Sequence, residues 1–234
     1  NTGGSVGTEN REQNAIAGPL SDPKEIPESL VRKSDDGTPN SLLDLVGRGT
    51  ISLELAGWLV AQVSRGASYI VGAGPGGIGK TTTMQSLLSF VPSHLPFAIA
   101  RPGEIEKIEG GPTCVVSNEL SSHPVESYLW GEDLRDFFRL SDWRHHLVGN
   151  MHVDTLAETH DQVCEQNGVP EDQFRAVDLL IFIGVDGAEP GAGRIKDTTL
   201  QRFVAEIVRS DGSADHKQVY TRDGGFTDQA PSDP

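Results

Sequence analysis

The sequence predicts an α/β domain with a mainly parallel sheet, helices on both faces, and an antiparallel hairpin at the C-terminal end. Three observations carry that expectation. Short apolar, β-branched runs alternate with stretches of helical period, the pattern of successive β-α-β units. One of those runs ends in a glycine-rich turn that leads directly into a helix. The last two extended runs flank an Asp211-Gly212 turn, which reads as a hairpin.

Residues 1–40 are polar, with scattered Gly and Pro, and bury too little apolar surface to offset their ordering entropy. They read as a flexible tail or linker, or as an arm that orders only on a neighbour. Asn40 or Ser41 caps a short helix carrying Leu42, Leu43, Leu45 and Val46, and Gly47 stops it. Ser52 opens a second helix with Glu54 in its first turn. Leu55, Leu59, Val60 and Val63 share one face, and Gly66 ends it. Tyr69, Ile70 and Val71 form the strand before the glycine-rich turn, and Pro92 closes the helix after it.

Strands follow at 97–100 and 113–117, the second ending at Asn118-Glu119. A helical pattern over 124–140 carries Leu129, Leu134, Phe137 and Phe138, in one piece or broken at Gly131. A strand at 146–151 ends at His152. Thr155 and Glu158 make a capping box for a helix reaching Gln166, which Gly168 terminates. A short helix at 170–177, a buried strand at 178–184 and a flexible Gly/Pro turn at 187–193 lead to paired strands at 200–208 and 218–221. The expected organisation is a flexible segment 1–40, a phosphate-loop domain 41–222 and a flexible tail 223–234.

The run 74–81 reads GPGGIGKT, the G-x-x-x-x-G-K-T phosphate-binding signature. Its chemistry needs each part. Glycines let main-chain N–H groups converge on a polyphosphate, and the following helix presents its unpaired N-terminal N–H groups to the same anion. Gly74, Pro75, Gly76, Gly77, Ile78, Gly79, Lys80, Thr81 and Thr82 are the expected nucleotide contacts. Lys80 is placed for the β- and γ-phosphates and Thr81 for Mg²⁺. In a parallel sheet ligands sit beyond the carboxyl ends of strands, so this turn, Glu119 and His152 should meet at one edge. There Glu119 suits the water shell of Mg²⁺ or the attacking water, the plain alternative being a strand-capping surface acid. His152 falls in reach of a γ-phosphate or of Glu119, or is structural. His145 and His146 precede the strand and read as surface residues.

A net charge of −15 argues against a nucleic-acid surface or an anionic membrane face. The 2 cysteines, Cys114 and Cys164, allow neither a disulfide framework nor a four-cysteine zinc site, and read as buried free thiols. Without a Cys/His metal spacing, Mg²⁺ carried by ATP is the only metal implied. The longest apolar stretch, 179–185, is far short of a membrane span, and no signal-like apolar segment stands near residue 1. A cytoplasmic protein without membrane insertion is the expectation.

The stretch from LLDLVGRG through SYIVGAGPGGIGKTTTMQSLLSFVP resembles the entry to the catalytic domain of the type II/type IV secretion ATPases. The nearest branch in character serves tight-adherence pili and conjugation-type machines. VVSNE resembles that family's Walker B and assigns its acid to Glu119. LWGEDLRDFF resembles the helix after it, at Gly131, Glu132 and Leu134. HLVGNMHVD resembles the His box, at His152, and FVAEIV resembles a late hairpin, at Ala205, Glu206 and Ile207. Coverage runs from 41 to about 222. The resemblance implies a RecA-like fold and a ring, usually hexameric, in which ATP hydrolysis between subunits drives pilin or cargo movement at the inner membrane. Lys80, Glu119 and His152 would be its catalytic residues, with Thr81 and Glu119 at the metal.

The chain departs from that pattern. Ala100 and Arg101 stand where the acidic box has its first two acids, and only Glu104 matches. The arginine-bearing segment before Walker B is cut to 106–112, and the N-terminal domain that forms half of the nucleotide cleft is missing. Arg135, Arg139 and Arg144 are candidate substitutes for those arginines, or exposed helix residues. A nucleotide-binding switch with little hydrolysis is therefore the rival reading, and a phosphate-loop small-molecule kinase a weaker third. No residue distinguishes ATP from GTP.

Overall fold

The computed structural model describes residues 27–30, 40–108, 110–188 and 192–231. Ser41 accepts the Asp44 N–H while the Asp44 carboxylate takes the Ser41 N–H, and this closed capping box starts α1 (Leu42–Gly47). Ser52 caps α2 (Leu53–Ser64), whose Leu55, Leu59 and Val63 are buried, with Val60 half-buried. β1 (Tyr69–Gly72) leads through the glycine-rich turn into α3 (Lys80–Leu88). Then come β2 (Phe97–Ile99), β3 (Cys114–Val116), β4 (Glu119–Leu120), β5 (Tyr128–Leu129), α4 (Glu132–Arg139) and β6 (His146–Met151). The chain finishes with α5 (Leu156–His160), α6 (Glu171–Arg175), β7 (Leu179–Val185), β8 (Arg202–Arg209), β9 (Lys217–Thr221) and β10 (Gly225–Phe226).

The sheet runs β10-β9-β8-β7-β1-β6-β3-β2. From β2 to β7 every pairing along it is parallel, and β8, β9 and β10 add antiparallel strands at one edge. The architecture is thus mixed α/β with a mostly parallel centre, as the alternation of runs requires. Side chains alternate between two cores. Val71, Val148 and Ile181 face α1, α2 and α3, whereas Ile70, Leu147 and Leu180 face Leu134, Phe138, Val163 and Phe174 of the other layer. Neighbours on the sheet are distant in sequence: β1 lies between β6 and β7. That places the ends of β1 and β6 side by side, where open α/β sheets hold ligands.

Several expectations are corrected. The helical pattern at 124–140 holds only from Glu132; Tyr128 and Leu129 instead form β5 beside β4. Glu119 does not end the preceding strand: β3 stops at Val116 and Glu119 opens β4. Glu158 accepts the N–H of Asp154, one residue before Thr155, while Thr155 accepts the N–H of Glu158, so the box closes one residue early. The helix it starts does not run evenly to Gln166 but widens into a π turn over Asp161–Gln166. His145 is buried and accepts the Thr113 N–H through Nδ1, with burial holding its pKa below the usual histidine value. His146 packs its ring against the Gly66 carbonyl. His145 is therefore not a surface residue, and His146 is half-buried.

The expected tails also contribute structure. Leu30, in a short 3-10 turn (Glu28–Leu30), is 1% exposed and joins the core under α1 and α2. Past residue 223, β10 adds an edge strand, and Phe226 packs on Trp58 and Tyr220. The rest of the expected N-terminal segment, the middle of the 187–193 turn and the last three residues lie outside the described residues. Among the described residues no helix is long and apolar enough to cross a membrane.

Candidate functional site

The turn after β1 is strapped on two sides. The Asp154 carboxylate, just past the end of β6, accepts the Gly74 N–H at 2.6 Å. A Cβ at Gly74 would come within 2.2 Å of that carboxylate, so a larger residue would have to push the Asp154 side chain off the strap. On the other side Gly76 donates its N–H to Gly193 O and accepts that of Ile195, each at 2.9 Å. Gly77 has φ +77°, and a Cβ there would lie 2.5 Å from Ile195 O. Ile78 sinks its side chain into the core and pins the turn from below.

These straps decide which amides remain available. Gly74 and Gly76 have engaged N–H groups, and Pro75 has none. The N–H groups of residues 77–82, in contrast, have no hydrogen-bond partner among the described residues, and the first helical bond at α3 is Thr83 N–H to Gly79 O at 2.9 Å. Residues 76–83 line a cleft of about 760 Å³ together with Glu119, Tyr128, His152, Arg48, Arg194 and Arg202. A concave wall of unpaired amides at a helix start is an arrangement suited to an anion.

Lys80, Glu119 and His152 meet at the mouth of this turn. Lys80 is 7% exposed, and its Nζ lies 3.0 Å from His152 Nδ1 and 3.4 Å from both Ala73 O and Glu119 Oε1. Glu119 is held by β4, which pairs with β6 at Leu120 and with β5 at Tyr128. His152 follows β6 directly, with Nδ1 3.1 Å from Gly74 O and Nε2 3.8 Å from Glu119 Oε1. Nδ1 thus faces a donor, Lys80 Nζ, and an acceptor, Gly74 O: a proton on Nδ1 is given to Gly74 O, whereas a proton on Nε2 leaves Nδ1 to accept from Lys80 and turns the N–H toward Glu119. Burial is the leading cause at both charged groups: it lowers the Lys80 pKa and raises that of Glu119, and their mutual attraction opposes both shifts without cancelling them.

The residues also fit a hard cation. Glu119 Oε1 and Asn150 Oδ1 are buried oxygens without a hydrogen-bond partner. Asn150 Nδ2 stands 3.5 Å from Thr81 Oγ1 and 3.1 Å from Asn118 O, so it brings Thr81 and the Glu119 segment together. Hydroxyl, carboxylate and amide oxygens are the donors that Mg²⁺ prefers.

Sequence reasoning missed part of this site. Neither Asp154 nor Asn150 stands out in the sequence pattern, where Asn150 is one more residue of the strand at 146–151. Their adjacency to His152 was the available signal. Arg135, Arg139 and Arg144 do not line the cleft: Arg135 bonds to Asn167 O and Arg139 pairs with Asp136. The arginines on the cleft are Arg48, Arg194 and Arg202. Arg202 holds the carbonyls of Asp197 and Leu200 at 2.9 and 2.7 Å and approaches Gly77 O at 3.4 Å. Arg194 sits on the strap beside Gly76.

No protein-family model matches the chain, and no curated protein does. Among solved structures the chain is similar to the VirB11 ATPase from the Brucella suis type IV secretion system in complex with sulphate, at 18% identity and a TM-score of 0.47. The match covers 72% of this chain, which spans about half of that one, 54%. A likeness of this size carries no argument about fold or function, and the site is therefore read on its own geometry.

Proposed function

We propose that this domain binds a nucleoside triphosphate with Mg²⁺ and hydrolyses it. The observation that supports this most is the convergence of Lys80, Glu119 and His152 on a cleft walled by the free amides of residues 77–82. In this reading the amides and Lys80 hold the β- and γ-phosphates. Lys80 gives up its contacts to Glu119 and His152 when the anion arrives. Glu119, freed from the lysine, orients water at the γ-phosphate, and His152 Nε2 stays beside Oε1, the same carboxylate oxygen that the lysine leaves. Thr81 and Glu119 hold the Mg²⁺, which supplies charge neutralisation on the phosphate oxygens. Arg48, Arg194 and Arg202 are further cations lining the same cleft.

The motor reading, a ring serving a secretion or pilus machine at the inner membrane, rests on the sequence resemblance alone. One specific feature favours the rival, a switch that binds nucleotide and turns it over little. Ala100 is buried and Arg101 exposed where the resemblance has acids, so no carboxylate enters the cleft from the end of β2. A comparison of wild type with Lys80→Ala for labelled-ATP binding tests the whole proposal, and equal binding defeats it. Turnover measured over a range of protein concentration then separates the readings. Rates per molecule that climb with concentration support sites shared between subunits, and background turnover throughout leaves the switch.

A further inference from the structure

A second side-chain cluster lies on the other layer of the fold, where α5 passes directly into the π turn Asp161–Gln166. Such widened turns often sit beside functional sites. His160 and Cys164 straddle the junction. The chain then reverses tightly: Gly168 N–H bonds to Cys164 O at 2.9 Å, and Asn167 Nδ2 to Gln162 O at 2.6 Å. The reversal brings α6 back against the π turn with Glu171 at its first position. The imidazole, thiol and carboxylate of His160, Cys164 and Glu171 offer ligand atoms that all lie within 4.8 Å of one another.

A plain ion pair accounts for only two of these groups. His160 Nε2 contacts Glu171 Oε1 at 2.6 Å, but exposed pairs of this kind contribute only about 0–1 kcal/mol and need no thiol. Nitrogen, sulfur and carboxylate oxygen together form the ligand set of zinc, whereas Mg²⁺ takes oxygen. Ligands at about 2.0–2.3 Å from a zinc ion stand roughly 3.3–3.8 Å apart in a tetrahedron, so small side-chain rotations suffice here. His160 and Glu171 also border a cleft of about 720 Å³, shared with Leu156, Phe174, Arg175 and Asp215.

We propose that His160, Cys164 and Glu171 bind one zinc ion, with the fourth coordination position open to that cleft. Binding forms a zinc–sulfur bond as the Cys164 thiol releases its proton to solvent. The ion staples α6 to the helix that starts four residues beyond His152. The cleft it opens to shares no lining residue with the cleft at the glycine-rich turn.

The test uses the full chain without nucleotide and Co²⁺ as a coloured substitute for zinc. One equivalent should produce a thiolate-to-cobalt charge-transfer band that one equivalent of zinc abolishes. Cys164→Ser should remove the band and weaken cobalt retention at least ~10-fold, while Cys114→Ser keeps both. Should Cys164→Ser fail to fold, alkylation of Cys164 in wild type reports instead, and zinc should slow it at least ~10-fold. The proposal is overturned by a wild type without the band, by a band that survives in Cys164→Ser, or by an alkylation rate that zinc leaves unchanged.

Discussion

Lys80 and Glu119 face each other at 3.4 Å in a wall where neither is more than a tenth exposed, yet Glu119 Oε1 lacks a partner in hydrogen-bond geometry. Burial works against both charges, and a site poised in this way gains from an incoming anion and cation that take over the two groups. Charged hydrogen bonds are worth about 1.5–3 kcal/mol, so Lys80→Ala should weaken triphosphate binding by about 10- to 150-fold. Glu119→Gln keeps the shape and removes the charge. It should leave binding within a few-fold and cut turnover by ~10²–10⁴. Equilibrium binding of a fluorescent nucleotide and phosphate release measure the two effects separately.

The same pair sets a pH dependence. Desolvation raises the Glu119 pKa in the folded protein, with Lys80 and His152 pulling the other way. A folded pKa above the unfolded one contributes stability that is complete below the unfolded value and is lost as pH rises through the folded value. In nucleotide-free protein, Glu119→Gln should therefore gain on wild type as pH rises from the ordinary glutamate range toward neutrality. Denaturant melts of both proteins across that range check the sign. A Glu119→Gln protein that instead loses ground to wild type as pH rises would mean that the carboxylate is ionised more easily in the fold than out of it.

How far the site was legible depended on whether its chemistry is local in the chain. The position of the glycine-rich turn between β1 and α3 was, because its glycines, Lys80 and Thr81 stand in consecutive register. His152 was placed correctly because the six-residue β6 has a readable apolar pattern that ends there. β4 and β5 were not, since two residues carry no period, and Leu129 and Leu134 five apart passed for one helix. His145 looked exposed because its partner, the Thr113 N–H, comes from a different strand connection. Arg194 carries no local signal at all: only the bridge to Gly76 brings it to the cleft. Leu30 was hidden in a polar context, where one apolar residue cannot announce a docking site.

The strap between Gly74 and Asp154 is testable by a double-mutant cycle. Asp154→Ala removes an exposed charge-assisted bond and should cost about 1–2 kcal/mol in stability. Gly74→Ala should cost more, since its methyl group meets the carboxylate. In the Asp154→Ala background that methyl group finds space, so the second loss should shrink by about 0.5–3 kcal/mol. Urea unfolding of the four proteins gives the coupling. Additive losses would show that the two groups do not touch in solution.

Arg194 lines the cleft and Arg135 does not. An arginine finger is worth ~10³–10⁵ in rate, and an exposed cation held only by its backbone should give less, about 10-fold or more. Arg194→Ala should thus slow phosphate release by at least that factor, with nucleotide affinity reduced only a few-fold. Arg135→Ala should leave turnover unchanged. Equal effects of the two would remove Arg194 from the reacting centre and return the cleft to a binding role.

Leu30 lies twelve residues before α1, in a stretch whose composition predicts no burial, yet its side chain is 1% exposed in the core shared with Leu42, Leu45 and Leu55. Removing a buried leucine costs about 2–5 kcal/mol, through lost transfer energy plus the cavity left behind. A single short turn at the margin of a core can relax inward, so Leu30→Ala should fall near the low end, about 2 kcal/mol. Deletion of residues 1–39 should destabilise the domain by a similar amount, because little else in that segment is apolar enough to bury. Chemical denaturation of wild type, Leu30→Ala and the deletion decides the matter. A deletion as stable as wild type would place Leu30 in solvent and restore the segment to a linker. A deletion matched by Leu30→Ala would make one side chain the anchor of the whole N-terminal arm.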